Sequence, residues 1–145
     1  MGIKQLDIVP YGTALPTSIS PASKDGALKF FQLARTETSG VLKAVLPASA
    51  SIMGFLIWGV ASNAGTTATI SIGSTSANAN EYVNAQDVKT SGGLVIPTAT
   101  LSTNLPNIEP IPQGGSDLVI YAKYAETGGA SSAGGPWKIA VWYAM

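Results

Sequence analysis

The chain has 145 residues, eight Lys+Arg against eight Asp+Glu, and neither Cys nor His. That is the length of one domain, with enough chain to bury a core without metal or disulfide. The two missing residue types exclude a disulfide framework, a zinc–thiolate site, a thiol nucleophile and a Ser-His-Asp triad, and zero net charge with Arg35 as the one arginine offers no footprint for nucleic acid.

Residues 1–26 read as an extended arm and edge strand, set apart from a β-sandwich domain over 27–145. Pro10, Pro16 and Pro21 interrupt any strand longer than the short apolar stretch at 6–9. The first residues lack the long apolar run of a signal peptide. Ile3, Leu6, Ile8, Val9 and Tyr11 are apolar but spaced by polar residues, and are candidates for contact with a partner surface. A turn cluster over 21–26 closes the arm.

Strands are expected at 28–34 and 41–46, where Val, Leu and Phe dominate. The run 52–60 is apolar on both faces, whereas a solvated strand alternates. It is expected to be covered twice, by a second sheet and by a neighbouring subunit, which makes Phe55 and Ile57 candidate subunit contacts. It is too short to cross a membrane as a helix. The broken first segment and the lack of an aromatic girdle speak against an outer-membrane barrel. Ser62-Asn63-Ala64-Gly65 then suggests a hairpin into 66–72. There Ala68, Ile70 and Ile72 alternate with Thr67, Thr69 and Ser71.

Residues 80–88 read as a helical turn or two, capped by Asn78 or Asn80. Strands resume at 94–101, 117–125 and 137–143. In the last, Trp137 and Tyr143 share a face and Trp142 points the other way, so Trp142 joins the candidate subunit contacts. The glycine-rich stretch 128–135 has no P-loop lysine and no helix after it, and reads as a hairpin loop. These elements predict an all-β fold: an antiparallel, jelly-roll-like β-sandwich of about eight strands with one short helical turn.

The acids Asp7, Asp25, Glu37, Glu81, Asp87, Glu109, Asp117 and Glu126 are scattered, with no calcium-loop spacing. They read as surface acids or caps. A glycosidase would need two of them about 5–10 Å apart across a cleft. Neither catalytic residues, nor a metal site, nor a cofactor is expected. Low charge fits a surface that is covered within an assembly, since an isolated monomer favours interspersed charges.

Three segments resemble a recurring pattern: 46–54 (LPASASIMG), 67–76 (TATISIGSTS) and 81–88 (EYVNAQDV). They are similar to small β-sandwich head decoration, or cement, proteins of tailed bacteriophages. The resemblance implies a structural virion protein on the outer capsid surface, made in the host cytoplasm. Its partners would be the major capsid protein and further copies of itself, as a trimer, with no nucleic acid and no membrane. It carries over no catalytic residues. The alternative is a carbohydrate-binding or adhesion module, in a phage fibre or tail, using an exposed Trp142 or Trp137 beside polar side chains.

Overall fold

The structure, a computed structural model, describes residues 27–48, 50–96 and 116–144. They form eight strands: β1 (Ala27–Leu33), β2 (Val41–Leu46), β3 (Ser51–Gly59), β4 (Thr67–Gly73), β5 (Val83–Asp87), β6 (Gly93–Val95), β7 (Leu118–Thr127) and β8 (Trp137–Ala144). Two four-stranded sheets result, sheet A in the order β1-β8-β3-β6 and sheet B in the order β2-β7-β4-β5, with every pairing antiparallel.

The pairs β1·β8, β2·β7, β3·β6 and β4·β5 are nested. The first half of the chain therefore pairs with the second half in reverse order, and this long antiparallel ribbon is rolled into two sheets. That is the jelly roll, as expected. The rolling places β3 in sheet A and β4 in sheet B, so they form no hairpin. β7 and β8 likewise lie in opposite sheets. Both connections cross the end of the sandwich instead. Asn63 ties them together there: its Oδ1 accepts from the N–H groups of Ser132 and Ala133, both at 2.9 Å.

Close packing of these two connections explains their glycines. A Cβ on Gly65 would lie 1.9 Å from the Gly128 carbonyl oxygen, and Gly128 itself has φ 77°. Only a residue without a side chain fits either position.

The expected helical turn at 80–88 is a turn followed by β5. Tyr82, Val83 and Val88 are all buried, and β5 supplies hydrogen-bond partners to the edge of β4, which a helix would leave open. β5 is irregular: Ala85 has φ 52°, and its N–H donates to Ser71 Oγ at 3.1 Å rather than into the ladder. β6 is shorter than the 94–101 strand expected from sequence, and residues 97–101 lie outside the described set. So does the 6–9 stretch.

The core lies between the sheets and follows the period of two. β8 contributes Trp137, Ile139 and Val141, β4 contributes Ala68, Ile70 and Ile72, and β7 contributes Ile120, Ala122 and Tyr124, all at most 1% exposed. Tyr124 of sheet B stacks on Trp137 of sheet A, with centroids 5.1 Å apart and planes 20° apart. The Tyr124 hydroxyl is satisfied by Ser62 Oγ at 2.8 Å and donates to Glu126 at 2.6 Å. A buried phenol therefore anchors the same end of the sandwich that Asn63 closes.

Candidate functional site

Once the inward residues are committed, the other face of each strand is fixed. On sheet A this outer face is apolar. Strand register sets its rows: Leu28–Trp142–Gly54, Phe30–Ala140–Leu56, and Gln32–Lys138–Trp58–Leu94. Ile96, one residue beyond β6, continues the alternation from Leu94. Leu28, Phe30, Leu94, Ile96 and Trp142 are 47–66% exposed. Phe30 meets Trp58 edge to face, at 6.2 Å and 82°. Ala140 is fully buried although it points outward, because its row places it between Phe30 and Leu56.

A β-bulge between Ile52 and Gly54 sharpens one corner. It turns Met53 outward, at 43% exposure. Next to it, a Cβ on Gly54 would meet nothing within 4 Å. Open space therefore lies over Gly54, beside Trp142 and next to the bulged Met53. Lys138 and Gln32 are the polar side chains in these rows, and both belong to the row at the opposite end.

The outer face of sheet B is different. Thr67 and Thr127 hydrogen-bond each other at 2.7 Å. Ser71 accepts from Ala85, and Lys123 pairs beside it in register. Apolar exposure on that sheet is confined to the β2 edge, at Leu42 and Val45.

Of the three residues expected at a subunit contact, Trp142 alone is exposed. Phe55 and Ile57 are 4% and 0% exposed, inside the core, and Phe55 stacks on Tyr82 at 6.0 Å. The reason is parity: in β3 they share the inward face, and the outward residues of that strand are Leu56, Trp58 and the bulged Met53. Ile3, Leu6, Ile8, Val9 and Tyr11 lie outside the described residues. Sequence reasoning missed Leu28 and Phe30. The signal was present, since Leu28-Lys29-Phe30-Phe31-Gln32-Leu33 is apolar on both of its faces.

Glu37, Glu81, Asp87 and Glu126 have local partners. Glu37 accepts two 2.6 Å hydrogen bonds from Lys43 Nζ and one of 2.7 Å from the Ala34 N–H. Burial pushes its carboxyl up, but these bonds and the Lys43 charge outweigh that and hold it below the ordinary value. Asp87 is held low first by Thr90 and then by the Lys89 and Thr90 N–H groups. Glu126 is held low by Ser131 and Tyr124. Each thus ties a turn or loop to its own strand. Among the described residues no three metal-ligating side chains converge.

The site is therefore a surface, built for contact. Its aromatic centre has apolar neighbours. Trp142 stands between Leu28 and Gly54, not between the amides and carboxylates that a sugar platform uses.

No family model matches the chain, and no curated protein matches it. Among solved structures, a chain of the cyanophage Pam1 capsid asymmetric unit has a similar fold. The superposition has a TM-score of 0.62 at 20% sequence identity, over 86% of this chain and 88% of that one.

Proposed function

We propose that this protein is a structural component of a phage particle: a decoration, or cement, protein on the outer capsid surface, without catalytic activity. The observation that carries the reading is the apolar, aromatic outer face of sheet A, whose rows hold Lys138 as their one charge, on a jelly roll similar to a chain of a phage capsid assembly. A cement protein works by adhesion. Each copy covers apolar surface with its neighbours, and the small contribution of each contact is multiplied over the shell.

In this reading Trp142 and the face around it contact neighbouring chains, which are the major capsid protein and further copies in a trimer. The arm residues Ile3, Leu6, Ile8, Val9 and Tyr11 fasten the protein to the shell. Aromatic side chains suit such a role because they contribute large contact area at low entropic cost. Mass in solution, measured with and without purified capsid shells, tests the proposal. A trimer that co-sediments with shells supports it, and a monomer that ignores them overturns it.

A further inference from the structure

The outer face of sheet A is large enough, and apolar enough, to pair with itself. We infer that off the shell it is covered by a second copy of this chain. The two sheets meet face to face, about a two-fold axis that runs across the strands through Ala140. The inference goes beyond the decoration reading: pairing in solution and attachment to a shell compete for one surface.

Area is the first argument. Leu28, Phe30, Met53, Leu94, Ile96 and Trp142 are 43–66% exposed. An aromatic side chain offers roughly 150–250 Å² and an aliphatic one somewhat less, so six at about half exposure present on the order of 500–600 Å². That reaches the upper end of the largest apolar patch on a typical monomer, roughly 300–600 Å². The half-buried Leu56 and Trp58, with Gln32 and Lys138, bring the face near the roughly 800 Å² that each partner buries in a stable pair. On sheet B the exposed large apolar side chains are Leu42 and Val45, a much smaller patch. One face therefore supplies the contact, and a patch that meets the same patch on another copy makes an isologous, two-fold interface.

Charge selects the axis. The charged residues of β1, β3, β6 and β8 are Lys29 and Lys138. Lys29 pairs with Val141 and shares its inward parity, which leaves Lys138 on the outer face. A two-fold axis along β8 would set Lys138 of one copy over Lys138 of the other, two like charges opposed in an apolar contact. An axis across the strands, through the Phe30–Ala140–Leu56 row, instead exchanges the two end rows. Positions 138 and 142 lie equally far from 140, so each Lys138 then sits over Trp142 of the second copy, an ammonium against an indole. Shape agrees with charge. In β3 the same exchange sets Trp58 of one copy over Gly54 of the other, where a Cβ would meet nothing within 4 Å. In β1 it sets Gln32 over Leu28. Facing sheets align within about 30°, which keeps these rows matched.

Sedimentation equilibrium of the full-length chain, without shells, tests the pairing. A monomer–dimer equilibrium is expected. Trp142→Lys opposes two ammonium groups and is expected to weaken the dimer by about tenfold or more. Trp142→Glu gives each Lys138 a carboxylate, so its dimer is expected to be about tenfold tighter than that of Trp142→Lys, with added salt narrowing the gap. Leu42→Ser, on sheet B, is expected to leave the equilibrium unchanged. Circular dichroism melts establish that each variant is folded. Equal weakening by Trp142→Lys and Trp142→Glu overturns the inference, because an axis along β8 opposes like charges in both. A chain that stays monomeric at every concentration overturns it too, as does a trimer formed without shells. Either of the last two, if it still binds shells, leaves the decoration reading standing.

Discussion

The two outer faces of the sandwich share one core and one topology, yet they are chemically opposite. On sheet B the outward positions of β4 and its neighbours are Thr67, Thr69, Ser71, Lys123 and Thr127, and their hydroxyls bond each other or the backbone. Apart from the β2 side, where Leu42 and Val45 are exposed beside Val119 and Tyr121, that face is finished in water. On sheet A the outward positions include Leu28, Phe30, Met53, Leu56, Trp58, Leu94 and Trp142, with six exposed large apolar side chains counting Ile96 and omitting the half-buried Leu56 and Trp58. Folding alone does not require this, because the inward faces already supply the core. An apolar face that the described strands leave uncovered marks a place for contact. In the proposed reading, stability and adhesion are carried by opposite sides of the same strands.

The largest expected effect lies in the core that the two faces share. Trp137→Ala removes the indole that stacks on Tyr124 at the centre of the core, and is expected to cost about 3–5 kcal/mol of folding stability. Urea denaturation measures it. A loss comparable to that of a surface substitution would show that the sheets are held together by something other than this core.

Next comes the apolar face itself. Phe30→Ser combined with Trp142→Ser is expected to weaken shell attachment by about 2 kcal/mol or more, the scale of a buried aromatic anchor. Both residues are about half exposed or more, so their cost to folding is expected to be much smaller than that of Trp137→Ala. Co-sedimentation with shells and urea denaturation, done in parallel, read the two effects. Unchanged attachment would remove sheet A from the contact.

The matching substitutions on sheet B are expected to do little. Thr69→Lys and Lys123→Ala should leave attachment unchanged and alter stability by no more than about 0.5 kcal/mol. A loss of attachment there would reverse the assignment of the faces.

The smallest effect is electrostatic and belongs to the β1–β2 connection. Glu37 has a folded-state pKa below its ordinary value, held there by Lys43 and the Ala34 N–H. A depressed carboxylate stabilises the fold at pH values above its ordinary pKa, and that contribution disappears as the pH falls through the depressed value. Stability measured across the acid range should therefore fall more steeply in the wild type than in Glu37→Gln. Identical slopes would mean that the ion pair does not couple to folding.

The strands of this fold are legible in the sequence because their signal is local. The range 41–46 coincides with β2, and the alternation Trp137, Ile139, Val141 marks the inward face of β8 as the sequence suggests. The sandwich and its jelly-roll character follow from strand number and punctuation. Pairing is less legible, because a jelly roll joins strands far apart in the chain: Ala27 lies opposite Tyr143. Asn63 and Gly65 carry the chemistry of a tight hairpin turn, but they serve a crossing between sheets in which Asn63 holds a loop nearly seventy positions away. Residues 80–88 carry helix-cap chemistry, and the need of β4 for an edge partner overrides it.

The candidate site is half legible for a related reason. The run at 52–60 is apolar on both faces, so its composition announces a double cover without saying which residues take which side. The parity of β3 places Phe55 and Ile57 in the core and leaves the outer side to Leu56, Trp58 and Met53. Trp142 is readable as opposite to Trp137, because β8 alternates without a break. The bulge at Met53 has no sequence signature beyond Gly54, and it is the bulge that creates the corner.

In the proposed function the outer face of sheet A, and not that of sheet B, is what the particle covers. Because the chain contains no cysteine, a single introduced thiol is a clean handle. Gln32→Cys on the outer row of sheet A and Thr69→Cys on sheet B, each carrying a thiol-linked photo-crosslinker, can be bound to shells and irradiated. A covalent adduct to the capsid protein or to a neighbouring copy is expected from position 32, and none from position 69. An adduct from position 69 alone would contradict it.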